Sequence, residues 1–275
     1  MYKYKNKMSF TFITALFDIS REKHDGRSYS EYQEWFKKTL QIPAPMVIYT
    51  ELKNENIINN FRRTDYPTKV IYSTLEEIPF YYTKPNVEHI IKNTKFKYRI
   101  QHPNGLENIC FDYIPIVNSK FKWVSESIKN NYFNTEMFFW IDAGLSRFLK
   151  FDLSQDTFDR TLLKYINENN KIYMQIGKKE EFEKLLKNEI SFENAVGKNI
   201  NFMMAGFWGG NKDLILDICT KCAEMYIKEF IEKEQVDNEQ VIFGFIIKQY
   251  LSNVCLIPNI MGKEYFNYYV FCGKS

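Results

Sequence analysis

Short apolar runs rich in aromatic and β-branched residues alternate, through the first half of the chain, with stretches whose apolar residues recur every three or four positions. That alternation predicts an α/β fold with a mostly parallel sheet. Residues 9–16 read as a first strand. Ser28-Tyr-Ser-Glu31 then forms a capping box, and Tyr32, Trp35, Phe36 and Leu40 mark one apolar helix face. Pro43 and Pro45 punctuate the chain before the short strand Met46-Val-Ile-Tyr49. Residues 51–63 have helical period with Ile57, Ile58 and Phe61 inward, and Lys69-Val-Ile-Tyr72 is a third strand. A helix over 119–130, with Phe121, Val124 and Ile128 on one face, delivers the chain into the strand Met137-Phe-Phe-Trp-Ile141. Three or four β-α units therefore precede Asp142.

The second half is less regular. It predicts strands over 172–176 and 201–207, a long helix over 211–234, a helix over 238–251 and short strands to close the chain. Neither an internal repeat nor a low-complexity linker marks a boundary, so one domain over residues 1–275 is expected.

Composition narrows the class. Hydrophobic residues make up 45% of 275 positions, enough for a full core. A net charge of +3, from 37 basic and 34 acidic residues, is too small and scattered for a nucleic-acid footprint, although a small anionic partner fits it. Five cysteines at irregular spacings do not form a disulfide framework and point to a reducing compartment, the cytoplasm. Cys219-Thr-Lys-Cys222 falls mid-helix without a second pair and reads as structural. Lys3, Lys5 and Lys7 before the apolar run Phe10-Thr-Phe-Ile-Thr-Ala-Leu-Phe17 imitate a signal peptide, but the run is short and ends on Asp18. No stretch reaches the roughly 18 apolar residues of a spanning helix, which leaves peripheral membrane contact.

In open parallel sheets ligands bind beyond the carboxyl ends of the strands. Asp18 follows the first strand and Asp142 follows the central one, each directly after a run that would tolerate no charge inside it. A carboxylate there can accept a hydrogen bond from a sugar hydroxyl or hold a divalent cation. Ala143 and Gly144 leave room for a ligand against the backbone. The plainer alternative is a turn, with Asp142 capping it and Gly144 supplying positive φ.

Six segments recur in order along nearly the whole chain: Phe12-Ile-Thr-Ala-Leu-Phe-Asp-Ile-Ser-Arg21, Tyr32-Gln-Glu-Trp-Phe36, Pro45-Met-Val-Ile-Tyr-Thr50, Trp140-Ile-Asp-Ala-Gly144, Ala205-Gly-Phe-Trp-Gly-Gly210 and Asp237-Asn-Glu-Gln240. With them the sequence resembles the HtrL/YibB-type family of glycosyltransferase-like proteins and is similar, more distantly, to glycogenin-like enzymes. The resemblance implies a GT-A fold, Rossmann-like, and transfer of a sugar from a nucleotide-sugar donor, a UDP sugar, to a glycan or other hydroxyl acceptor. It places Thr14, Ala15, Asp18, Arg21, Lys120, Asp142, Ala143 and Gly144 around the donor. In glycogenin-like enzymes a Lys- or Arg-bearing helix leads to a strand ending in Asp-x-Asp, and Lys120 and Asp142 match that layout. Gly144 breaks it, because it stands where the second aspartate would hold Mn²⁺ or Mg²⁺ and offers no side-chain oxygen. Asp142 is then the single candidate ligand. The three histidines, His24, His89 and His102, lie far from the C-terminal position that often completes such a site. Arg21 and Lys120 are the cations that would meet phosphates in place of an ion, unless both are ordinary surface charges.

Gly206-Phe-Trp-Gly-Gly210 reads as a tight turn between a strand and a helix capped by Asn211. There Trp208 would stack on an acceptor sugar beside Gly209 and Gly210, or else simply fill the core. Asp237 reads as the N-cap of the next helix, with Glu239 favoured by the helix dipole and Gln240 facing the acceptor. Should transfer invert the anomeric centre, Asp237 or Glu239 supplies the base. Two rivals stay open: a non-catalytic nucleotide-sugar or carbohydrate-binding module, and a nucleotidyltransferase, which needs two carboxylates around Mg²⁺.

Overall fold

Seven strands, β1 (Phe10–Leu16), β2 (Met46–Thr50), β3 (Thr68–Tyr72), β4 (Met137–Ile141), β5 (Ile172–Ile176), β6 (Met203–Asn211) and β7 (Val254–Ile257), form one sheet in the computed structural model. It describes residues 10–148, 166 and 168–257, so the lysines at 3, 5 and 7 and anything beyond β7 lie outside the described residues. The strand order is β3-β2-β1-β4-β6-β5-β7, and every pairing is parallel except those of β6, which runs against both β4 and β5. This is the mostly parallel, helix-flanked α/β sheet that the alternating pattern predicts.

The apolar runs become strands because both faces of the sheet are covered. Along β4, Met137, Phe139 and Ile141 point into one core with Phe12, Ile48 and Phe207, while Phe138 and Trp140 point into the other with Ile13 and Val47. The first core is closed by Phe36 and Ile58, from helices α1 (Tyr29–Thr39) and α2 (Glu55–Phe61). The second is closed by α3 (Lys84–Asn93), α4 (Tyr113–Asn130), α5 (Lys179–Leu186), α6 (Lys212–Met225) and α7 (Glu239–Ile247).

Several boundaries differ from the sequence pattern, each for a local reason. The capping box forms as predicted: the Ser28 hydroxyl accepts from the Glu31 amide, and the Glu31 carboxylate accepts from the Ser28 amide. Helix α4 begins six residues before 119, since Pro115 in its first turn lacks only a donor that would have no partner there. Segment 51–63 splits into a 3-10 turn, Leu52–Asn54, and α2. Phe61 faces out at 37% exposure and Arg62 takes the inward place, donating to the carbonyls of Leu40, Ile42 and Ala44. After α6 the chain continues as a π-helical stretch, Tyr226–Ile231.

The largest correction concerns β6. Gly206 to Gly210 is not a turn; it is strand, paired residue by residue with β4 so that Trp208 stands opposite Trp140, Gly209 opposite Phe139 and Gly210 opposite Phe138. Asn211 does cap α6, its side chain accepting from the amides of Asp213 and Leu214. The glycines are there for strand contact. A Cβ on Gly209 would lie 2.2 Å from the Phe138 carbonyl oxygen and 2.5 Å from Phe139 Cα. Gly209→Ala is therefore expected to destabilise the fold by about 2–4 kcal/mol, read as a lower midpoint in urea with an unchanged slope. A loss of function without a loss of stability would return Gly209 to a binding role.

Candidate active site

Strands β1 and β4 are neighbours from which the chain departs in opposite senses: β1 leads through α1 to β2 on one side, whereas β4 has β6 on its other side and is preceded by α4 on the opposite face. At such a switch point the loops part and leave a crevice beyond the strand ends. A cleft of about 400 Å³ lies there, bounded by the loop after β1, the start of α1, the middle of α4, the segment after β4, residues 204–206 of β6 and the first turn of α7. The bulge supplying residues 204–206 arises because Met174 pairs with Trp208 while Ile176 pairs with Met203, so Met204 to Phe207 oppose Gln175 alone.

Asp142 sits at the mouth of β4. Its amide donates to the Gly206 carbonyl and its carbonyl accepts from the Leu145 amide, while Thr39 Oγ1 donates to the Ala143 carbonyl at 3.0 Å. The Asp142 carboxylate, 40% exposed, accepts from Trp140 Nε1 at 2.7 Å through Oδ1, and the same oxygen lies 3.0 Å from Lys120 Nζ. Lys120 reaches this point from the middle of α4 and also donates to Glu239 Oε1 at 2.6 Å, on the first turn of α7. One buried ammonium thus stands between two carboxylates. Burial opposes its charge, and Asp142 and Glu239 outweigh burial, so its pKa is raised and it stays protonated. Burial pushes the Glu239 carboxyl up while Lys120 draws it back. Glu239 Oε2 has no hydrogen-bond partner among the described residues.

The loop after β1 is built by turn chemistry. Asp18 Oδ1 accepts from the Ser20 amide, the Asp18 amide donates to Glu51 Oε2, and Lys53 Nζ bridges Asp18 and Glu51 at 3.3 and 3.1 Å. Arg21 begins a single helical turn, Glu22–Asp25, and donates to Asp25 Oδ2 at 2.8 Å and to the Tyr32 hydroxyl at 2.6 Å. Its guanidinium lies over the rings of Tyr32 and Tyr113. Arg27 and Arg147 complete the cationic side of the cleft, Arg147 over the ring of Trp35 at 5.4 Å.

The structure therefore brings Ala15, Asp18, Arg21, Lys120, Asp142, Ala143, Gly144, Glu239 and Gln240 to one cleft. It does not bring the rest. Thr14 is enclosed within β1. Trp208 is 1% exposed and packed between Phe121 and Phe243, so its face is closed to a sugar, and Gly209 and Gly210 lie against β4 and β5. Asp237 is not the helix cap: Asn238 is, accepting from the Gln240 amide, while the Asp237 carboxylate faces away and accepts from the amides of Gly197, Asn199 and Asn238. Gln240 lines the same cleft as Asp142 and Lys120 and forms no subsite with Trp208. Lys120 is no free phosphate ligand, being committed to two carboxylates. Arg27, Arg147, Tyr32 and Tyr113 are among the cleft residues that sequence reasoning missed; Tyr32 reads as helix face, Tyr113 falls before the helix predicted over 119–130, and only their place behind the strand-end loops would have signalled a site.

A divalent ion of the Mn²⁺ or Mg²⁺ kind needs several hard oxygen ligands. Gly144 supplies none, and the position is crowded, because a Cβ there would meet Tyr32 Cε1 at 3.0 Å and Trp35 Cε3 at 3.3 Å. Asp142 Oδ1 is taken by Trp140 and Lys120, and no group of three His, Cys, Asp or Glu side chains is arranged to hold a metal among the described residues. The described residues do not fit such an ion.

Fold and cleft together define an α/β protein of Rossmann-like class with a cleft beyond the ends of β1 and β4. The chain belongs to the HtrL/YibB family, described as bacterial proteins of unknown function, whose pattern matches residues 8–272. Among solved structures it is similar to the apo form of mouse xyloside xylosyltransferase 1 (TM-score 0.43, 9% identity, 97% of this chain and 94% of that one). It is also similar to core-mannan synthase A of Aspergillus fumigatus in its Mn/GDP form (0.47, 8%, 94% and 74%). A third is 4-diphosphocytidyl-2C-methyl-D-erythritol synthase of Anaerococcus prevotii (0.41, 11%, 91% and 87%). No curated protein sequence matches. No helix among the described residues is long and apolar enough to cross a membrane.

Asp237 carries a pH signature of its own. Burial, against the pull of three backbone amides, pushes its pKa up to about 7. A carboxyl raised above its unfolded value is bound to its proton more tightly in the native state, so it stabilises the fold at low pH and that contribution is lost as pH rises towards 7. The expected loss is up to about 4 kcal/mol between pH 4 and pH 7, and Asp237→Asn should flatten this part of the stability profile measured by urea titration. A profile unchanged by the substitution would mean that Asp237 does not titrate there.

Proposed function

We propose that the protein is a glycosyltransferase that moves a sugar from a nucleoside-diphosphate sugar to a hydroxyl of a glycan-type acceptor, in the cytoplasm. The observation that carries this is the cleft beyond the ends of β1 and β4, where carboxylates for hydroxyl recognition and guanidinium groups for an anion meet in one enclosed space. A UDP sugar is the donor that the ordered motifs imply.

During transfer the bond between the anomeric carbon and the diphosphate oxygen breaks, its electron pair leaves with the diphosphate, and the acceptor oxygen bonds to the carbon as it gives up its proton. Arg21 lies where cationic hydrogen-bond donors would hold the leaving charge. Asp142 Oδ1 is saturated by Trp140 and Lys120, which fixes the carboxylate and leaves Oδ2, on the Gly206 side, to accept from a donor hydroxyl. Glu239 is the carboxylate assigned to the acceptor proton, since its Oε2 has no other partner and burial raises its affinity for a proton.

Incubation of the protein with a panel of nucleotide sugars should release nucleoside diphosphate from one of them, faster in the presence of a glycan acceptor. Asp142→Asn should lower kcat/KM at least about 100-fold with an unchanged circular dichroism spectrum. Undiminished turnover would remove Asp142 from the site, and tight binding without turnover would make the protein a nucleotide-sugar-binding module.

A further inference from the structure

We propose that this cleft holds the diphosphate of its ligand without a divalent cation, on the guanidinium groups of Arg21 and Arg27, with Arg147 on the same wall and the aromatic pair Tyr32 and Trp35 under Arg21 and Arg147. The inference rests on the nucleotide-sugar reading of the cleft and specifies how its anion is held.

Three observations converge. The first is steric: the rings of Tyr32 and Trp35, packed edge to face at 4.9 Å, crowd position 144, where any side chain would start 3.0 Å from Tyr32 Cε1 and 3.3 Å from Trp35 Cε3. The second is electrostatic. Of the three acids lining the cleft, Asp18 is paired with Lys53 at 3.3 Å, and between the other two, Asp142 and Glu239, the bridging place is already taken by the ammonium of Lys120 at 3.0 and 2.6 Å, where a divalent ion added beside it would meet a like charge.

The third is what the same aromatic pair does on its other side. Tyr32 accepts from Arg21 Nη1 at 2.6 Å, and Trp35 lies under Arg147. Arg21 and Arg27 share one carboxylate, Asp25, at 2.8 and 3.8 Å, so the pair keeps a net positive charge. The three guanidinium groups are close enough to act on one another: burial lowers the pKa of Arg147, and Arg27 and Arg21 lower it further while Tyr32 and Asp142 oppose them. Such mutual repulsion is relieved when an anion enters. Guanidinium forks match phosphate oxygens in pairs, and the diester of a nucleoside-diphosphate sugar carries two negative charges for them to meet. The rings that crowd position 144 therefore also contact Arg21 and Arg147.

The test is equilibrium binding of UDP, GDP, ADP and CDP to the full chain by calorimetry, once in excess EDTA and once with excess MnCl₂. At least one nucleotide is expected to bind in EDTA with a Kd within about threefold of its value with Mn²⁺. Arg27→Ala, at an exposed position, and Arg21→Ala should each weaken that Kd by about tenfold and leave the binding of the corresponding nucleoside, which has no phosphates, unchanged. Binding that vanishes in EDTA and returns with Mn²⁺ would overturn the inference and leave the nucleotide site standing, as would arginine variants that bind normally. Failure of every nucleotide to bind under either condition would overturn the nucleotide reading and this inference with it.

Discussion

The ammonium of Lys120 is the contact on which the ligand end of this molecule depends. It joins three elements that are remote along the chain: α4, which carries it, the end of β4, and the start of α7, where Glu239 stands 119 positions away. Neither Glu239 nor Lys120 would be tenable alone. Glu239 is almost wholly buried, and removing one member of a buried pair costs on the order of 3–5 kcal/mol because the other charge is left without compensation. With all three present, a strand of five large apolar residues can end on a carboxylate whose position is fixed by the lysine and by the Trp140 indole. Rigidity at Asp142 follows from burial on one side and saturation of Oδ1, while Oδ2 is left to the cleft.

The reversed strand β6 gives that cleft its far wall. Because β6 runs against β4, its register places Trp208, Gly209 and Gly210 deep in the sheet and leaves Met204, Ala205 and Gly206 at the ligand edge, where the mismatch with β5 lets them bulge forward. A Cβ at Gly206 would stand 3.0 Å from Leu145 Cδ1 and in ordinary contact with Asp142 Oδ2 at 3.4 Å. Aromatic packing thus ends where polar chemistry begins, and the boundary falls inside one six-residue motif.

What the sequence makes legible follows the range of the interaction. Asp18 and Asp142 can be found because an apolar run that stops on a charge marks a strand end, and the capping box at Ser28 is local enough to read directly. Trp208 misleads, since glycines on either side of an aromatic ring describe a turn as well as they describe a strand needing close backbone contact. Asp237 and Asn238 are adjacent residues of nearly equal capping ability, and only the backbone angles decide that Asn238 caps while Asp237 gathers amides from the segment around Gly197. The partnership of Lys120 with Glu239, and the convergence of Arg21 and Arg147 on Tyr32 and Trp35, arise from the juxtaposition of β1 and β4 and have no periodicity of their own.

The most direct test is a crystal structure of the protein with a nucleoside-diphosphate sugar bound. The diphosphate should lie beyond the carboxyl ends of β1 and β4, within hydrogen-bonding distance of Arg21, with a hydroxyl of the ligand on Asp142 and the Lys120 contacts intact. A nucleotide bound elsewhere on the molecule, with this cleft left empty, would contradict the assignment of the site.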